Sequence, residues 1–286
     1  MGSTEELVTI VSGGIPLQAV ICTPPDTSPA PALIICHGAF EYKERYLDMA
    51  RYAARAGIAT MVPDMNGHGE SGGERFEIQI SRWVQNIRDC IDFLTARREV
   101  DADRIAAFGL STGGTAVIEA AIVEHRLKAV IAYAPTVRNV MTVPDMLIYF
   151  CVLPLGFLKK VFTGRPLAIP MPELVKGRKL AWDNDAHRSI MEDPYFKASY
   201  VPIPGALQAS WVTTITRANQ LAVPTLVIHG EADEVDKPLS SQMLYERLTC
   251  TKKLALLPEM GHVASVERHR EKMYQLTVSW IHEHLC

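Results

Sequence analysis

The stretch RIAAFGLSTGG, residues 104–114, leaves few ways to arrange the chain around it. Its apolar run over 104–110 predicts a strand buried on both faces, and GGTAVIEAAIVE (113–124) continues as a helix. Between them stands Ser111, fenced by Gly109 and Gly113. A turn straight from strand into helix forces the serine backbone into a strained conformation. Side chains at positions 109 or 113 would collide with neighbouring backbone. Such a turn lifts the hydroxyl clear of a sheet edge and places it at a helix N-terminus, where the dipole and free N–H groups favour developing negative charge. The residues fit G-x-S-x-G, with the strand before and the helix after that this pattern requires. An ordinary Gly/Ser turn is the bland alternative.

The rest of the chain repeats the strand–helix rhythm. Apolar or β-branched runs at 17–24, 32–38, 58–64, 128–135, 224–230 and 252–259 predict strands. Segments at 45–57, 76–98, 238–249 and 266–284 have helical spacing, and the second aligns Ile80, Val84, Ile87, Ile91 and Leu94 on one stripe. Alternation of this kind implies a mostly parallel central sheet with helices on both faces, an α/β fold. The rhythm stops between about 137 and 218, a Pro-rich stretch of helical fragments with no clear strand. We expect a core from 1–136 and 219–286 and an inserted helical cap, or lid, over 137–218.

Composition removes several functions. With 286 residues, 48% of them hydrophobic, the chain buries a sizeable core, and its net charge of −3 offers no field for nucleic acid. No window reaches the roughly 18 unbroken apolar residues of a spanning helix, so no integral membrane segment is expected. The N-terminus has neither a basic start nor an apolar signal core, and the six scattered cysteines form no C-x-x-C pair, which together point to a cytoplasmic protein. No metal or cofactor is expected: no cluster has metal-ligand spacing, and no P-loop or dinucleotide fingerprint occurs. His282 and His284 stand two apart on the last helix and face different ways.

A serine needs a base, and the base needs an orienting acid. Open α/β sheets place such groups beyond the C-terminal ends of their strands. His262 follows one late strand, and Glu231, Asp233 and Asp236 follow the strand before it. The order serine, acid, histidine is that of α/β-hydrolases.

Four motifs carry a family resemblance: HGAFEY (37–42), DMNGHGESGG (64–73), GLSTGG (109–114) and HGEADEVDKP (229–238), with Gly261–His262 closing the set. The chain resembles α/β-hydrolases of the monoacylglycerol lipase and lysophospholipase branch, related to S33-type serine aminopeptidases. The resemblance implies Ser111 as nucleophile, His262 as general base and Asp233, three residues past the His-Gly pair, as orienting acid. It implies an oxyanion hole from the backbone N–H groups of Ala39 and Thr112. His37 and His68 are read as shaping loops, with Asp64 bonding local N–H groups, and His229 as packed. AWDNDAHRSIMEDPYF (181–196) bears a faint likeness to the family's cap.

Within the insertion, MTVPDMLIYFCVLPLGFL (141–158) is dense in large apolar residues. These either bury a cap helix or also wall a pocket for a hydrophobic substrate. The expected function is a carboxylesterase- or lipase-like serine hydrolase acting on a hydrophobic small-molecule ester or thioester through an acyl-enzyme. An acyltransferase or thioesterase/cyclase with the same triad, and a non-catalytic ligand-binding module, are the alternatives. Whether the chain acts as a monomer or a homodimer is left open.

Overall fold

Strand β3 (Ala30–Cys36) shows why the chain folds as layers: all seven residues are buried. Ala32, Ile34 and Cys36 point into one apolar layer and Leu33 and Ile35 into the other. A strand with both faces apolar must be covered on both sides. The computed structural model describes residues 3–25, 29–138, 143–165, 167–202 and 212–286, with backbone alone for 143–149.

Around β3 run β1 (Thr4–Ser12), β2 (Ile15–Thr23), β4 (Ala59–Pro63), β5 (Val100–Leu110), β6 (Leu127–Tyr133), β9 (Thr225–Gly230) and β10 (Lys252–Leu257), in the order β1-β2-β4-β3-β5-β6-β9-β10. The strands from β4 to β10 in that order are parallel, and β1 and β2 add an antiparallel edge. Strand β1 was not expected from the sequence. Only Ile10 and Ser12 of its nine residues are buried, so an edge strand left the apolar alternation too faint to read.

One face is covered by α2 (Ile80–Thr95) and α3 (Thr112–Val123), the other by α1 (Leu47–Arg55) and α9 (Glu271–Leu285). Helix α2 is shorter than the predicted 76–98 and rotated from the predicted stripe. Trp83, Asn86 and Cys90 join Ile87, Ile91 and Leu94 inside, while Ile80 and Val84 are half-buried. Helix α8 (Pro238–Arg247) packs beside β9 and β10.

Between β6 and β9 the described chain forms α4 (Val143–Thr163), β7 (Ala168–Pro170), α5 (Met171–Leu174), α6 (Asn184–Glu192), α7 (Pro194–Ala198) and β8 (Tyr200–Pro202). The expectation of no strand there is corrected, because β7 and β8 pair antiparallel. Three-residue strands ending in proline carry no readable period. The first two residues of the 141–158 stretch lie outside the described residues. From Phe150 onward α4 is largely exposed, Phe162 at 82% and Phe157 at 65%. Among the described residues no helix is long and apolar enough to cross a membrane.

Candidate active site

The strand order β5-β6-β9-β10 brings three distant loops to one edge of the sheet. Ser111 follows β5, Asp233 follows β9 and His262 follows β10, all three buried. Ser111 stands at φ 52°, ψ −116°, a left-handed backbone that a serine adopts only where its surroundings impose it. The glycines explain the imposition. A Cβ on Gly109 would lie 2.2 Å from the carbonyl oxygen of Gly113, and one on Gly113 would lie 2.4 Å from that of His37. Helix α3 therefore starts pressed against the end of β3. The N–H of Ser111 donates to the carbonyl of Tyr133 (2.8 Å), and the Tyr133 hydroxyl donates to the carbonyl of Gly261 (2.7 Å), beside His262.

Oδ2 of Asp233 lies 2.7 Å from Nδ1 of His262, while Oδ1 accepts the N–H groups of Val235 (2.8 Å) and Asp236 (2.9 Å). Burial works against charge on Asp233, yet the field of His262 and the hydrogen bonds from His229 and His262 hold its carboxyl well below the usual carboxylate range. Burial also works against charge on His262. The Asp233 carboxylate outweighs it, with Asp236 and Glu41 adding to the effect, and holds the imidazole above its ordinary value. No hydrogen bond joins Oγ of Ser111 to the His262 ring among the described residues. Bonds of this kind are often long before substrate binds.

The competing acids are placed elsewhere. Glu231 is exposed, and Asp236 accepts the hydroxyl of Thr136 at 2.7 Å. The N–H of Thr112, first residue of α3, has no acceptor within its helix. The N–H of Ala39 meets no acceptor among the described residues. His37 shapes the loop before Ala39: Nε2 accepts from the N–H of Met65 (2.9 Å), so Nδ1 donates to the carbonyl of Gly38 (2.7 Å). Burial pulls its pKa down. Burial, together with neighbouring His37, pushes His68 down to about 3. Asp64 accepts the N–H groups of Lys43 and Glu70 and pairs with the Lys43 ammonium (2.9 Å). His282 and His284 make separate contacts, with the carbonyl of Ala56 and the ring of Trp280. Among the described residues no cluster of histidine, cysteine or carboxylate side chains could hold a metal ion.

Two residues at this edge escaped the sequence reading, and a third makes a contact that it did not foresee. Buried Glu41 accepts the N–H of Gly38 (3.0 Å) and the hydroxyls of Tyr46 (2.7 Å) and Ser265 (3.2 Å), joining the loop of Ala39 to that of His262. Buried Glu267 accepts the N–H groups of Gly261 (2.7 Å), Trp182 (2.5 Å) and Asp183 (3.2 Å), tying the His262 loop to the segment before α6. His229, read as packed, is buried but also touches Asp233, at 3.2 Å. Glu41 lies inside a quoted motif, so its position was legible and its role was not. Glu267 has no local signal at all.

A parallel sheet with this strand order, a strained serine after β5 and an acid–histidine pair after the last two strands define an α/β-hydrolase. The chain belongs to the family described as serine aminopeptidase S33, which matches residues 27–269. It is 25% identical to a monoacylglycerol lipase of Mycolicibacterium smegmatis over 96% of this chain and 95% of that protein. It is 23% identical to a polyketide transferase of Stachybotrys chlorohalonatus, over 82% of each chain. The crystal structure of an α/β hydrolase from a Penicillium species superposes with a TM-score of 0.83 at 20% identity, covering 100% of this chain and 99% of that one. Family and relatives together support a hydrolase of esters or thioesters, or a related acyltransferase.

Proposed function

We propose that the protein is a serine hydrolase that cleaves a carboxylic ester or thioester of a hydrophobic small molecule through an acyl-enzyme. Ser111 attacks the carbonyl carbon, and Nε2 of His262 takes the hydroxyl proton. Asp233, bonded to Nδ1, holds the ring in that tautomer and stabilises the imidazolium. The developing oxyanion is received by the N–H groups of Ala39 and Thr112, each worth about 3–4 kcal/mol in the transition state. His262 then returns the proton to the leaving group, activates water, and the acid is released. The observation that carries this reading is the 2.7 Å bond from His262 to Asp233 at the sheet edge where Ser111 is held at φ 52°.

We also read residues 137–218 as a cap over this edge. The bonds from Glu267 to Trp182 and Asp183, and from Tyr42 and Arg45 to Asp193, support it. The apolar side chains of α4 favour an acyl chain or ring over a sugar or charged peptide. The six cysteines are all unbridged, which supports a reducing compartment, the cytoplasm.

The likeness to a polyketide transferase favours a second reading, in which an alcohol or amine replaces water as acceptor. A fluorophosphonate probe followed by peptide mapping tests the nucleophile. Labelling is expected at Ser111, and Ser111→Ala should lower hydrolysis of short and medium p-nitrophenyl esters by about 10⁴-fold or more. Label on another residue, or full activity in the variant, would sink the assignment. Product analysis with competing nucleophiles separates hydrolysis from transfer.

A further inference from the structure

A second imidazole meets the Asp233 carboxylate, and the reaction above gives it nothing to do. His229, on β9, has a fully buried side chain. Its Nε2 lies 2.8 Å from the carbonyl oxygen of Asp236 and 3.2 Å from Oδ2 of Asp233, and its Nδ1 lies 2.7 Å from Oγ of Ser241 on α8. A carbonyl oxygen can only accept, so Nε2 carries the proton. Nδ1 is then the acceptor, and the hydroxyl of Ser241, itself buried, donates to it. Two fixed partners on opposite sides of the ring thus choose its tautomer. The Nε2–H is shared between the carbonyl and the carboxylate. Four N–H donors therefore converge on Asp233: Val235 and Asp236 on Oδ1, His262 and His229 on Oδ2.

We infer that His229 is a positioning residue, which fixes the rotation of the Asp233 carboxylate so that Oδ2 stays aimed at Nδ1 of His262. The inference rests on the serine-hydrolase reading above. An aspartate's terminal torsion is broad and two-fold, and N–H groups on Oδ1 alone leave Oδ2 free to swing. The donor from His229 closes that freedom. Ser241 serves the same end at one remove, since loss of its proton donation leaves Nδ1 buried without a partner.

Two substitutions in the full chain test this. His229→Leu removes the donor at similar volume, and His229→Gln places an amide N–H near where Nε2 stood. The Leu variant should be labelled by the fluorophosphonate, and turn over a p-nitrophenyl ester, about 10- to 100-fold more slowly, as for a small misplacement of a reacting group. KM should not change, because no contact with substrate is lost. The Gln variant should recover most of the rate. A Leu variant labelled at the wild-type rate, or a Gln variant as slow as the Leu variant, overturns the inference and leaves the serine reading standing. A wild-type chain that is not labelled overturns both. Should the Leu variant fail to fold, ¹H–¹⁵N imidazole spectra of the wild-type protein decide: a proton on Nε2 of His229 is expected, and one on Nδ1 overturns the inference.

Discussion

The C-terminal edge of the sheet and the segment between β6 and β9 are built on opposite terms. At the edge, residues such as Phe108, Tyr133 and His229 are wholly buried, and the hydroxyl of Tyr133 and both ring nitrogens of His229 have hydrogen-bond partners. Along α4, Leu155, Phe157, Val161 and Phe162 stand more than half exposed. The difference teaches where each region's specification resides. The edge is held by hydrogen bonds and packing inside the protein, so its geometry belongs to the fold. Those four side chains of α4 are not spent on the core.

The comparison breaks first at the acid. Asp233→Asn keeps the shape and removes the charge, and it should cut kcat/KM for a p-nitrophenyl ester by about 10⁴-fold, because the amide favours the wrong imidazole tautomer. Stopped-flow or end-point assays over a dilution series read this directly, and a loss under tenfold would mean the carboxylate is not the orienting group. Next comes packing. Phe108→Ala, deep in the layer under α1 and α9, should cost about 3–5 kcal/mol in denaturant unfolding. A cost below 1 kcal/mol would show that the edge rests on a looser core than described.

Acidity sharpens the contrast further. In the proposed mechanism the base form of His262 takes the proton of Ser111, and Asp233 raises the pKa of that ring. The kcat/KM profile should therefore rise with pH through a midpoint above the ordinary histidine value of about 6.5, falling tenfold per unit well below it. A midpoint below 6 would contradict the pairing. Glu267→Gln tests the junction of the two regions. It turns one acceptor into a donor facing backbone N–H groups, so stability should fall by about 1–3 kcal/mol and the rate by about tenfold. Unchanged values for both would show that the segment before α6 does not brace the His262 loop. The smallest effect is expected at Phe162→Ala, within about 0.5 kcal/mol in stability. A Tm drop of more than a few degrees would place that ring in the core after all.

Much of the layered fold was legible because it follows from local pattern. The strands from 32–38 to 252–259 appeared within a few residues of their predicted places; β3, β4 and β9 are buried throughout, and a strand covered on both faces must be apolar throughout. Strand β1 and the β7–β8 pair were not legible, the first because its edge faces water and the second because three residues cannot show a period. In α2 the helix was right and its buried stripe was shifted, since Trp83 and Asn86 go inside against partners that lie far along the chain, as the bond from Asn86 to Ser12 shows.

By itself the sequence determined that a serine would sit at a strand-to-helix turn, with an acid and a histidine following later strands, because glycine spacing and apolar runs act over neighbouring residues. Only the tertiary structure decided which atoms meet: the two imidazoles on one carboxylate, the hydroxyl of Ser265 on Glu41, and the backbone of Trp182 on Glu267. Those contacts join residues up to 224 positions apart. A hydrogen bond reaches about 3 Å, so nothing local in the chain can announce it before the sheet has brought its loops together.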